Sequence, residues 1–121
     1  MRIHHFGVKV KDVEAALKFY SEILGLTLQE IVSMGGQNFY FVGDGTVCLE
    51  IEQAYQVGTK SFDNGFSHLA LEVEDLEAYC QRLRDYSVHF QLEPSQFRPD
   101  RKIAFIEDLE GNAIQLIEFL K

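Results

Sequence analysis

The sequence predicts an α+β fold made of two tandem βαβββ modules whose strands form a curled mixed sheet around a concave face. Three observations carry the prediction: an internal repeat, a change of hydrophobic period from two to about 3.6 within each copy, and turn signals separating short strands behind each predicted helix. The repeat is read directly. His5-Phe6-Gly7-Val8-Lys9-Val10-Lys11-Asp12-Val13-Glu14-Ala15 overlies His68-Leu69-Ala70-Leu71-Glu72-Val73-Glu74-Asp75-Leu76-Glu77-Ala78 at an offset of 63, with His, Val, Asp, Glu and Ala identical.

Each copy opens as a strand. Phe6, Val8 and Val10 alternate with His5, Gly7 and Lys9, and Leu69, Leu71 and Val73 alternate with His68, Ala70 and Glu72. Asp12 and Asp75 then read as helix N-caps, because a short carboxylate accepts bonds from the first free amides and complements the helix dipole. Behind them Val13, Ala16, Leu17 and Tyr20 recur at helical spacing, as do Leu76, Tyr79, Cys80 and Leu83, and Gly25 closes the first helix. Shorter strands follow over about 27–33, 37–43 and 46–52, and over about 88–91, 101–107 and 113–119. Gly35-Gly36, Gly43-Asp44-Gly45 and Glu110-Gly111-Asn112 supply the positive-φ positions that hairpins need. The late hairpins also match, Phe41 with Phe105 and Glu50 with Gln115, once two small insertions are allowed. Module one is thus expected over 1–53, a polar linker over 54–65 and module two over 66–121, in a single domain. Neither half covers both sheet faces alone. Two such sheets side by side leave a concave face lined by the residues opposite the helices.

Composition narrows the function. The 121 residues are 46% hydrophobic and 25% charged, an ordinary globular balance. A net charge of −8 argues against a nucleic-acid partner, which needs a dense basic surface. Apolar runs such as Phe39-Tyr40-Phe41-Val42 fall far short of the ~18 residues of a membrane helix, so no membrane partner is expected. The N-terminus enters a strand pattern at once, without the apolar core of a signal peptide, and the expectation is a cytoplasmic protein. Cys48 and Cys80 are too few for a disulfide framework and are read as reduced, buried thiols.

Four polar residues occupy equivalent points of the repeat: His5 and His68 in the leading strands, Glu50 and Gln115 in the closing strands. If a pseudo-twofold relates the modules, equivalent side chains converge on its axis. Two imidazoles, one carboxylate and one amide oxygen would then surround a point, a donor set suited to a divalent first-row ion such as Zn, Ni, Co, Mn or Fe. Glu52 shares the face of Glu50, which is preferred because it matches Gln115. His4 is the rival of His5, but strand alternation points it away, under the first helix. His89 has no repeat partner and is read as structural or exposed. Phe39, Tyr40, Phe41 and Phe105 read as strand core. Gly43-Asp44-Gly45 lacks the Lys and Ser/Thr of a phosphate loop. Leu92 to Lys102, with both prolines and with Arg98, Arg101 and Lys102, reads as a loop: either a solvated connector or a flap whose basic residues take an anionic substrate.

Over nearly its whole length the sequence resembles the vicinal-oxygen-chelate superfamily, which includes glyoxalase I, methylmalonyl-CoA epimerase, fosfomycin-resistance proteins, extradiol dioxygenases and bleomycin-binding proteins. The resemblance is carried by His5 through Asp12, by Phe19-Tyr20 with Leu24-Gly25-Leu26, and by Leu49-Glu50-Ile51. It continues in Ser67-His68-Leu69-Ala70-Leu71 and in Glu107 through Asn112 before Ile114-Gln115-Leu116-Ile117-Glu118. It implies that His5, Glu50, His68 and Gln115 are the metal positions of a glyoxalase-type lyase or isomerase with one divalent transition metal per site. The substrate it implies is a small carbonyl or hydroxycarbonyl compound chelated through two oxygens, and the assembly a homodimer. Gln115 departs from the glutamate of bacterial glyoxalase I, which leaves Glu50 as the catalytic base, since an amide takes up no proton at neutral pH. It also disfavours the dioxygenase and fosfomycin branches. A non-catalytic, bleomycin-resistance-like binding protein and a thiol transferase are the alternatives.

Overall fold

The computed structural model describes residues 2–54 and 67–121. The chain divides into two compact units, Met1–Thr59 and Lys60–Lys121. The linker expected over 54–65 lies, apart from Ala54, outside the described residues.

Unit one runs β1 (His5–Val10), α1 (Val13–Lys18), β2 (Thr27–Met34), β3 (Gln37–Gly43) and β4 (Cys48–Gln53). Its sheet has the order β1-β4-β3-β2, with β1 parallel to β4 and the other pairs antiparallel. Unit two repeats the plan with β5 (Leu69–Glu72), α2 (Leu76–Arg84), β6 (Phe90–Arg98), β7 (Arg101–Glu107) and β8 (Ala113–Phe119), in the order β5-β8-β7-β6. Each unit is therefore a βαβββ motif, and its crossover helix allows the first and last strands to run parallel.

The predicted caps form. Asp12 Oδ1 accepts the Ala15 amide at 3.0 Å, and Asp75 Oδ1 accepts that of Ala78 at 3.1 Å. The first helix does not stay α-helical to its end. It widens into a π-helical turn over Phe19–Ile23, with Leu24 N–H on the Phe19 carbonyl at 2.9 Å, before Gly25 turns the chain at φ 92°. The widening lets Phe19 and Tyr20 both bury their rings. One sheet face is apolar in each unit and lies on the helix side: Val10, Val42, Leu49 and Ile51 with Ala16 in unit one, Ala104, Ile106, Ile114 and Leu116 with Leu76, Cys80 and Leu83 in unit two. The opposite face of each sheet is mixed: Glu50 lies beside Phe41 in unit one, and Gln115 beside Phe105, Ile103 and Ile117 in unit two.

Two expectations need correction. Leu92 to Lys102 is not a loop: β6 continues through Pro94 to Arg98, only Pro99 and Asp100 turn, and Arg101 and Lys102 already belong to β7. Pro94 is tolerated because β6 is an edge strand and the register breaks between Leu92 and Ser95, so its missing N–H costs no ladder bond. Gly43 is not a positive-φ residue. It is needed because a Cβ there would lie 2.5 Å from the Val47 carbonyl oxygen, while Gly45 supplies the left-handed φ of 96°.

Candidate metal centre

In each unit the candidate ligands lie on the sheet face opposite the helix. In unit one, parallel pairing sets His5 beside Cys48, Gly7 beside Glu50 and Lys9 beside Glu52. Strand alternation then places all six on one face, and antiparallel pairing adds Phe41 next to Glu50. His5 Nε2 lies 3.7 Å from Glu50 Oε1. Gly7 matters here because it has no side chain: a Cβ would come within 2.9 Å of Glu52 Oε2 and 3.4 Å of Glu50 Oε1, in the space where the two carboxylates converge. Burial above all, and the Glu52 charge next, push the Glu50 carboxyl above its ordinary value, while His5 pulls it the other way.

His4 is found elsewhere than expected. It precedes β1, so strand alternation does not govern it, and it does not pack under the helix. Its exposed ring lies beside that of His5, Nδ1 to Nδ1 at 2.9 Å, and approaches Phe41 edge-on at 6.4 Å. With Arg2, Phe41, Thr46 and Cys48 it borders a cavity of about 390 Å³ next to the His5–Glu50 pair.

In unit two, Ala70 pairs with Gln115 and Phe105 pairs with Gln115. His68 directly precedes β5 and is placed by its ring contact with Phe105, the ladder partner of Gln115. The two histidines share a local geometry. His5 stands edge-on to Phe41 at 5.2 Å and 86°, His68 edge-on to Phe105 at 5.3 Å and 82°. In each case the preceding residue occupies Nδ1, His4 in one and Ser67 Oγ at 2.9 Å in the other. A ring clamped at Nδ1 and braced by a phenyl edge has its Nε2 as the remaining donor, the arrangement that orients metal-binding histidines. Phe41 is buried, as expected of a core residue, and Phe105 is half-buried; both also lie on the face of the candidate ligands and brace the histidines. The offset of 64 between them was the sequence signal.

Among the described residues no group of three or more His, Cys, Asp or Glu side chains gathers at metal-binding distance. Each unit carries one imidazole and one oxygen donor on one face, so the structure brings His5 to Glu50 in unit one and sets His68 and Gln115 on a common face in unit two. That donor chemistry fits a divalent transition ion.

The expected basic contacts separate. Arg101 pairs with Phe119 in the β7–β8 ladder and so shares the face of Gln115, but the four-residue step from Phe105 puts it about 14 Å along the strand. Arg98 pairs across the hairpin with Arg101, and both guanidinium groups bind Asp100, at 3.4 and 2.9 Å. Lys102 alternates with Arg101 onto the face of Ala104 and Ile106 that packs against α2.

The Glyoxalase/Bleomycin resistance protein/Dioxygenase superfamily matches residues 2–116, through both units and all four candidate ligands. The chain belongs to this superfamily. Among curated superfamily members, a probable lactoylglutathione lyase of Synechocystis sp. is 35% identical over 125 residues, covering 98% of this chain and 95% of that protein. The lactoylglutathione lyase of Salmonella typhimurium is 32% identical, covering 98% and 93%. Among solved structures, glyoxalase I of Leishmania major superposes with a TM-score of 0.81 at 26% identity, covering 98% of this chain and 86% of that one. Superfamily membership fixes the α+β architecture of paired βαβββ units. Among the described residues no helix is long and apolar enough to cross a membrane.

Proposed function

We propose that the protein is a metal-dependent lyase of the glyoxalase type, acting on a small carbonyl or hydroxycarbonyl compound that offers two adjacent oxygens. Full-length likeness to lactoylglutathione lyases carries the reading, and the His5–Glu50 pair supports it. His5, Glu50, His68 and Gln115 hold one divalent ion, drawn from Zn, Ni, Co, Mn and Fe, with the two module faces brought together in a cytoplasmic homodimer. When bound, the ion supplies Lewis-acid polarisation of the substrate oxygens.

The protein's own groups do the rest. Gln115 offers oxygen but no base, and both imidazoles are committed through Nε2, so proton transfer falls to Glu50. Its carboxylate takes the proton from the carbon that bears the hydroxyl next to the carbonyl. The C–H pair becomes a carbon–carbon double bond, and the carbonyl pair moves onto its oxygen. The proton returns from Glu50 to the former carbonyl carbon, and the hydroxyl proton passes to the former carbonyl oxygen. The net change is an isomerisation with no redox partner; from a thiol adduct of a 2-oxoaldehyde the product is a thioester. Arg98 and Arg101 would meet an anionic end of the substrate by exchanging it for Asp100.

The test is thioester formation from methylglyoxal with glutathione and with other thiols, each with the five ions in turn. Turnover is expected with at least one pair, and Glu50→Gln is expected to lower kcat by about 10²–10⁴-fold, the usual span for a general base. No turnover with any combination overturns the lyase.

A further inference from the structure

The candidate ligands leave a charge imbalance. Two neutral imidazoles, one amide and one carboxylate bring a single negative charge to a divalent ion. The structure contains a second carboxylate at the same place. Glu52 stands in ladder register beside Lys9, an apparent ion-pair partner by position, yet no Lys9–Glu52 bridge occurs among the described residues. The Glu52 carboxylate turns the other way, over Gly7, where its Oε2 and Glu50 Oε1 share the space that a side chain at position 7 would take. Two carboxylates held together repel, and a cation between or beside them relieves the repulsion.

We propose that Glu52 is a positioning residue of the metal centre: it supplies the second negative charge through Glu50, without ligating the ion, and Gly7 provides the space. The proposal rests on the metal reading above and goes beyond it, since none of the four candidate ligands is Glu52.

Cobalt titration of the metal-free full-length protein, read by the visible ligand-field bands, tests it. Glu52→Gln is expected to raise the cobalt Kd about 10–100-fold, the range for outer-shell partners, with band positions unchanged; Glu52→Asp is expected to recover part of the loss. Glu22→Gln, which removes one charge on the surface of unit one, is expected to leave Kd within twofold. Shifted bands in Glu52→Gln overturn the non-ligand role, and a Kd within twofold of wild type, or an equal loss in Glu22→Gln, overturns the proposal while the metal reading stands. Wild-type protein that takes up no cobalt overturns both. Thermal unfolding of each metal-free variant checks the fold, and Gly7→Ala, which crowds both carboxylates without changing charge, is expected to weaken cobalt binding in the same direction.

Discussion

Cys48 and Cys80 look alike in the sequence, each inside an apolar periodic segment, but the structure separates them. Cys80 is fully buried on the inner side of α2, and burial pushes its thiol up to about 11. Cys48 is half-buried on the polar face, in register with His5. An aromatic disulfide reagent at pH 8 is expected to titrate one thiol quickly in the native protein and the second only after unfolding; two equally fast thiols would contradict this placement. Residue-level reading succeeded where the rule is local. Asp12 and Asp75 were legible as caps because the bond they make spans three residues. It failed for His4, whose ring position depends on where β1 begins, and for the stretch from Leu92 to Lys102, whose prolines and charges suggest a loop where two strands run.

Elements show the same division between local and long-range signals. The two closing strands, which carry Glu50 and Gln115, are launched by repeat-related aspartate turns. Asp44 Oδ1 accepts from Thr46 N, Thr46 Oγ1 and Val47 N at 2.9, 2.7 and 3.2 Å. Asp108 Oδ1 accepts from Glu110 N and Asn112 N at 2.9 and 2.8 Å. Hydrogen bonds from Thr46 hold the Asp44 carboxyl at about 2, below its ordinary 3.8. A depressed carboxylate stabilises the fold above its unfolded value and loses that contribution as pH falls through the folded one. Asp44→Ala is therefore expected to destabilise by roughly 1 kcal/mol at pH 7, with the gap to wild type closing between about pH 4 and pH 2. Denaturant unfolding across that range measures it, and a gap that persists at pH 2 would contradict the assignment. The glycine and aspartate turns were readable from composition. The π-helical turn at Phe19–Ile23 and the passage of β6 through Pro94 were not, because one depends on how two aromatic rings pack and the other on β6 lying at a sheet edge.

For the whole molecule, the repeat was the most informative feature of the sequence. It places both βαβββ units and matches His5 with His68, Glu50 with Gln115 and Phe41 with Phe105. What it could not show is which carboxylate next to His5 is held close, since Glu50 and Glu52 share a strand face; the 3.7 Å approach of His5 to Glu50 distinguishes them. The central claim is that one ion is held by matching side chains from both halves of the repeat. Metal-edge X-ray absorption of the cobalt-loaded protein tests it most directly. Two imidazoles per cobalt are expected in the wild type, falling to one in His5→Ala and to one in His68→Ala; a coordination shell that His68→Ala leaves unchanged would mean that unit one binds the ion without unit two.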